Sequence, residues 1–272
     1  MNSFLRWVGG KSQMVARITP LLGQCKSYIE PFAGGAWVFF ARPSSRFEVL
    51  NDLDGELANL YRALQRSGRR LIREVDQYPY SRAVFKRMAL SRPRTPLSRA
   101  RRFLYINRTC FGGRMARPTF GVSKGRANHV LPPTLRFNAE AIIERLRGVV
   151  IESLPAGEVI ARYDGPDSLF FIDPPYLGLS QPYGVKDVFD RRAHQCLADQ
   201  LAAIDGRFLL TVNAGPAVRS IYRRFRIRSI QTVYTVSRQS AKTAKELLVS
   251  NYPLPRKSPY RERRSPGANK KK

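Results

Sequence analysis

Two short clusters in this 272-residue chain combine residue types that could do chemistry. The first is Asp173-Pro174-Pro175-Tyr176, which follows the apolar run Leu169-Phe170-Phe171-Ile172. Proline fixes φ near about −65° and has no N–H for a ladder, so a strand running into this tetrad must leave its sheet there. A carboxylate and an aromatic ring are then held stiffly at the carboxyl end of a strand, which is where open α/β sheets bind ligands. Taken alone, the tetrad also fits a strand-terminating turn whose Asp caps backbone. The second cluster is Glu30-Pro31-Phe32-Ala33-Gly34-Gly35, with Asp52 following 18 residues after Gly34. Glycines after a first strand let backbone approach a ligand closely, and an acid closing the second strand suits a ribose diol. The usual GxGxxG is absent, so a nucleoside without phosphates fits better than a dinucleotide. Asp52 could instead be a helix N-cap, but Asp54 is better placed for that.

These clusters need elements to position them. Tyr28–Phe32 reads as a buried strand, Phe47–Leu50 as a second, with a helix between them over Gly35–Ala41. Leu57, Leu60, Tyr61 and Leu64 fall at i, i+3, i+4 and i+7, a helix that Asp54 would cap. The stretch from about 65 to 147 is Arg-rich and helical in pattern, notably over Ser98–Ile106, with turn signals at Gly112-Gly113, Gly121 and Gly125 marking a hairpin or loop around Thr109–Arg126. Strand-length apolar runs resume at Val149–Glu152, Ser168–Ile172 and Phe208–Val212, with a helix within Asp190–Ile204. Arg226–Val236 and Glu246–Asn251 read as an antiparallel closing pair. The expectation is an open, mostly parallel α/β sheet, formed by 1–64 and 148–254, with a mainly helical insert at 65–147 and a disordered basic tail at 255–272.

Composition narrows the partner. Lys plus Arg total 48 against 20 Asp plus Glu, a net charge of +28. Between Arg66 and Arg126 there are 17 basic residues against Glu74 and Asp76, and the tail from Pro255 adds 8 against Glu262. Arg bias of genomic origin explains part of the total but little of this clustering. Such a charge points to a polyanion, either nucleic acid or an anionic membrane surface. Two histidines, His129 and His194, and three scattered cysteines, Cys25, Cys110 and Cys196, make neither a metal site nor a disulfide framework. Met1–Lys11 lacks the apolar run of a signal peptide, and no membrane-spanning run occurs, so a reducing, intracellular setting is expected.

Six segments in order resemble the Dam-type N6-adenine DNA methyltransferases. They are Phe4-Leu5-Arg6-Trp7-Val8-Gly9-Gly10-Lys11, Tyr28–Ala36, Asn51-Asp52-Leu53-Asp54 with Asn59-Leu60-Tyr61, Phe103–Gly113, Asp173–Tyr176, and Glu246–Asn251. The glycine loop carries Ala36 where some members have Gly, and the central segment carries Gly112 where Asn is common. The resemblance implies a Rossmann-like S-adenosylmethionine-dependent methyltransferase fold with an inserted DNA-recognition domain. It implies that Trp7, Lys11, Glu30, Pro31, Phe32, Gly34, Gly35, Asp52 and Asp173 form the S-adenosylmethionine pocket. Asp173, Pro174, Pro175 and Tyr176 would be catalytic, with Asp173 and the Pro174 carbonyl accepting from the adenine amino group and Tyr176 stacking on a flipped base. Arg108, Arg114, Arg117, Lys124 and Arg126 would contact double-stranded DNA. A single chain acting in the cytoplasm, without a metal, is the expectation. The alternatives are an inactive DNA-binding relative and an amino-methyltransferase acting on cytosine N4 or on RNA. Asp at 173 favours adenine, since cytosine-N4 enzymes more often resemble Ser-Pro-Pro-Tyr there.

Overall fold

The structure is a computed structural model that describes residues 1–125, 127–131, 135–136, 138–178, 189–237 and 240–255. Arg126 and the basic tail after residue 255 lie outside the described residues. Seven strands form one sheet: β1 (Ser27–Glu30), β2 (Phe47–Asn51), β3 (Val150–Glu152), β4 (Ser168–Ile172), β5 (Arg207–Asn213), β6 (Arg226–Ser237) and β7 (Ser240–Ser250). Their order is β3-β2-β1-β4-β5-β7-β6. The first five run parallel, and β7 enters antiparallel between β5 and β6. This is the Rossmann-like methyltransferase architecture. The chain winds outward from β1 in one direction and from β4 in the other, so β1 and β4 flank the topological switch point.

Why these strands sit centrally follows from their side chains. All of β4 is buried, as a parallel strand covered on both faces requires. Its residues alternate between two cores: Leu169 and Phe171 join one, Phe170 and Ile172 the other. The first face carries α1 (Val15–Leu22), α2 (Trp37–Ala41), α3 (Gly55–Asp76), α4 (Arg82–Leu90), α5 (Pro96–Thr109) and α6 (Ala139–Leu146). The second carries α7 (Ala156–Tyr163), α8 (Arg191–Leu201) and α9 (Pro216–Ile221). Strand β1 stops at Glu30, before Pro31, rather than at Phe32, because proline cannot continue the ladder. Helix α3 runs through residue 64, the expected edge of the insert, with a kink at Ser67, and its Leu71 and Val75 share a core with Leu57 and Leu60. The segment expected as a hairpin or loop is, among the described residues, a loop closed by the antiparallel bridge of Cys110 to Phe120.

Helix α3 begins where the sequence places it. The Asp54 carboxylate accepts from the backbone N–H of Glu56 at 2.9 Å and of Leu57 at 3.4 Å. Asp54→Ala leaves those donors uncapped and should cost about 1 kcal/mol of stability. Urea unfolding with an unchanged slope and a lower midpoint checks this.

Candidate active site

The site gathers at the carboxyl ends of β1, β2 and β4. Asp173 directly follows β4 and is joined there by Lys11, from a 3₁₀ turn at Lys11–Gln13 in the N-terminal segment. Lys11 is 4% exposed. Its ammonium lies 2.6 Å from Oδ1 and 2.8 Å from Oδ2 of Asp173. It also donates to the Tyr176 hydroxyl at 2.8 Å and the Gly9 carbonyl at 3.2 Å. Thr211, fully buried on β5, donates from Oγ1 to Asp173 Oδ1 at 2.7 Å. Asp173 itself is 20% exposed, so the carboxylate is fixed from behind by a cation and a hydroxyl while one side meets solvent. Nothing in the sequence marked Thr211, because a threonine within an apolar strand reads as a β-former.

The glycine loop follows β1, the strand that neighbours β4. Gly34 has φ +47°, and a Cβ there would stand 2.7 Å from Nε1 of Trp7, so the indole lies directly against bare backbone. The Gly34 carbonyl accepts from Tyr61 Oη at 2.6 Å and the Gly35 carbonyl from the Ser3 hydroxyl. These two bonds orient the loop so that the Gly34 N–H donates to Asp52 Oδ2 at 2.8 Å. The second Asp52 oxygen accepts from the Asp54 N–H at 3.0 Å. Asn51 ties three strand ends together, donating to the carbonyls of Pro31 at 2.8 Å and Leu154 at 3.0 Å. Pro31 is thus buried, whereas Phe32 is half-buried with its ring edge-on to Phe189 at 5.5 Å.

Burial decides the charge states. The Glu30 carboxyl, 1% exposed, is pushed up to about 8 by desolvation, although hydrogen bonds from Tyr28 and the Phe39 N–H pull the other way. Desolvation also raises Asp52, to about 6, against the opposing pull of the Asp54 and Gly34 N–H groups.

The basic residues divide. Arg114, Arg117 and Lys124 are exposed on the loop after α5, beside Phe111, which is 58% exposed. Arg108, expected on DNA, turns inward instead: it is 8% exposed and donates to the carbonyls of Phe4 at 2.9 Å and Val130 at 3.4 Å. Its neighbour Asn107 clasps Arg6, accepting from its N–H at 3.0 Å and donating to its carbonyl at 2.7 Å. Among the described residues there is no cluster of three His, Cys, Asp or Glu able to hold a metal ion, and no helix is long and apolar enough to cross a membrane.

Residues 7–236 match the family described as D12 class N6 adenine-specific DNA methyltransferase. The chain is 26% identical to Type II methyltransferase M.CviBI of Paramecium bursaria Chlorella virus NC1A, over 93% of this chain and 100% of that protein. It is 26% identical to a DNA adenine methylase of Vibrio cholerae, over 88% of this chain and 91% of that one. It is 28% identical to the DNA N-6-adenine-methyltransferase of Escherichia phage P1, over 81% of this chain and 31% of the phage protein.

The Glu30 carboxyl ionises near 4.5 when unfolded and near 8 when folded. Between those values the folded chain holds a proton the unfolded chain has released, so stability falls as pH rises through the window. Glu30→Gln should remove this component, flattening stability against pH by up to about 1.4 kcal/mol per pH unit. Urea unfolding of both proteins from pH 5 to pH 8 measures the difference.

Proposed function

Since the chain belongs to the family of D12 class N6 adenine-specific DNA methyltransferases, we propose that its Asp173–Tyr176 tetrad is where the adenine amino group meets the methyl donor. The chain is a DNA adenine methyltransferase, and the family implies S-adenosylmethionine as the donor. That donor supplies a methyl group activated on a sulfonium. The observation that carries the reading is the Asp173 carboxylate, held by Lys11 and Thr211 at the switch point, where the neighbouring strands β1 and β2 lead into the glycine loop and Asp52.

The residues present fit such a donor. Each Asp52 oxygen accepts from one backbone N–H and keeps acceptor capacity for the two hydroxyls of a ribose. Trp7 against the bare Gly34 backbone gives a flat apolar wall. Lys11, Glu30, Pro31, Phe32 and Gly35 complete the pocket around these two.

The difficult reactant is the amine, whose lone pair is delocalised into the purine ring. Asp173 and the Pro174 carbonyl accept its two N–H bonds, which draws the lone pair out of conjugation and aims it. Their contribution is orientation together with stabilisation of the positive charge that develops on nitrogen. Thr211 and Lys11 hold Asp173 so that it need not reorganise as that charge appears. An adenine within a duplex is out of reach and must be flipped, at a cost of a few kcal/mol. Tyr176, its hydroxyl anchored by Lys11, offers the ring on which the flipped base stacks. Arg114, Arg117 and Lys124 contact phosphates of double-stranded DNA, and the segment 65–147 serves as the recognition insert in a chain working in the cytoplasm.

The test is transfer of labelled methyl from S-adenosylmethionine to unmethylated duplex DNA, followed by nucleoside analysis. N6-methyladenine is expected; methylcytosine, or methylation of RNA alone, overturns the reading. Asp173→Asn should lower single-turnover transfer by about 10²–10³-fold, with DNA affinity retained. Replacing Arg114 and Arg117 by Ala should weaken DNA binding and reduce the slope of log affinity against log salt by about 0.9 for each phosphate no longer neutralised. An unchanged slope in a binding titration overturns their assignment.

A further inference from the structure

The two prolines that stiffen the tetrad also deprive it of backbone donors, so its carbonyls and side chains must be fixed by other groups. Lys11 and Thr211 hold Asp173, and Asn213 donates to the Leu177 carbonyl at 3.1 Å. One buried titratable group beside the tetrad has no part in the reaction described above. His194, on α8, is 0% exposed, with Nε2 at 3.1 Å from the Pro175 carbonyl and Nδ1 at 2.9 Å from the Tyr222 hydroxyl.

The geometry points to His194 as a positioning residue for methyl transfer: as the neutral Nε2–H tautomer it holds the Pro175–Tyr176 peptide, and so fixes the presentation of Tyr176. This rests on the reading of the tetrad as the reaction centre. A carbonyl oxygen only accepts, so Nε2 must carry the proton. Burial disfavours a second proton on the ring and pushes the imidazole below its ordinary range. Nδ1 is therefore an acceptor, and Tyr222 donates to it. Tyr222 is fully buried at the end of α9, which gives the imidazole a rigid anchor. The imidazole also meets the Phe189 ring edge-on at 4.8 Å, and Phe189 meets Phe32 of the glycine loop. Tyr176 is thereby held at both ends, its hydroxyl by Lys11 and its preceding carbonyl by His194. A base-stacking ring needs that constraint, because a small misplacement of reacting groups is costly in rate.

Two substitutions separate the two halves of the imidazole. The amide of Asn reaches the place of Nδ1 and can accept from Tyr222, but falls short of Pro175. The amide of Gln reaches the place of Nε2 and can donate to Pro175. His194→Asn should lower single-turnover methyl transfer about tenfold or more, while KM for DNA and for S-adenosylmethionine stays within about twofold. His194→Gln should recover most of that rate even where its thermal midpoint is no higher. Wild-type transfer with His194→Asn unimpaired, or rates that merely follow the thermal midpoints of the two variants, overturns the positioning role alone. A wild-type chain that methylates no adenine overturns the functional reading and the role together. If His194→Asn does not fold, Tyr222→Phe removes only a hydroxyl, and it should lower the rate severalfold with KM held; an unchanged rate overturns the role. The tautomer has its own readout. The chain has two histidines, so ¹⁵N-histidine spectra of the wild type and His129→Asn assign His194 directly. The Nε2–H form is expected at neutral pH, and an Nδ1–H form or an imidazolium overturns the assignment.

Discussion

A lysine ammonium that is 4% exposed survives only beside a compensating charge, because burying an unpaired ion costs several kcal/mol. For Lys11 that charge is Asp173, reached across 162 residues of sequence. Around this pair the other parts of the site fall into place. Lys11 brings the N-terminal segment to the end of β4, and Trp7 comes with it to lie on Gly34. Lys11 also donates to the Tyr176 hydroxyl and the Gly9 carbonyl, and Asp173 also accepts from Thr211, which leaves acceptor capacity on its solvent-facing side. Removing Asp173 would leave the buried ammonium unpaired, so the two residues act as a single unit, and the effects of mutating them would not add.

The sheet explains why that pair lies where a ligand can reach it. β1 and β4 are neighbours whose onward connections diverge, which opens a crevice above their carboxyl ends. Each of the three strands that border it ends in a polar device: Glu30 on β1, Asn51 on β2 with Asp52 directly after it, Asp173 after β4. Side chains from neighbouring elements then hold these devices still. Tyr61 from α3 sets the glycine loop, Asn51 links the ends of β1, β2 and β3, and Thr211 from β5 fixes the carboxylate. A transition state is stabilised best by groups that need not move as charge develops, and in the proposed reaction this scaffold would supply them in place.

The same N-terminal segment meets the loop that carries exposed arginines. Asn107 and Arg108, on the last turn of α5, bond the backbone of Arg6 and Phe4. Gly113 has φ +73° and passes so close that a Cβ would stand 2.5 Å from the Arg6 carbonyl oxygen. The residues just before Trp7 and Lys11 are therefore packed against the start of the loop bearing Arg114 and Arg117. Arg108 illustrates the division of labour among the basic residues. Its charge is used for structure, by satisfying buried carbonyls, whereas the exposed positions further along keep theirs toward solvent.

The order of the strands and the places of α2, α3, α5 and α8 were legible in the sequence, since periods of 2 and 3.6 and the prolines and caps that interrupt them are local properties. The Asp54 cap and the run of β4 into Asp173 follow from neighbouring residues alone. The clusters proposed for the site are likewise local, because the chemistry available to Asp-Pro-Pro-Tyr and to a glycine loop followed by Asp52 is written in residue types. What the sequence could not specify was which distant groups complete them. Thr211 looks like any strand threonine, His194 like any core histidine, and Arg108 like any arginine of a basic segment. Whether a side chain holds a carboxylate, holds a carbonyl or faces DNA depends on what the fold brings against it, and a hydrogen bond across dozens of residues leaves no local trace. Residue type therefore set which chemistry is available, and tertiary packing decided which copies of each residue come together at the candidate site.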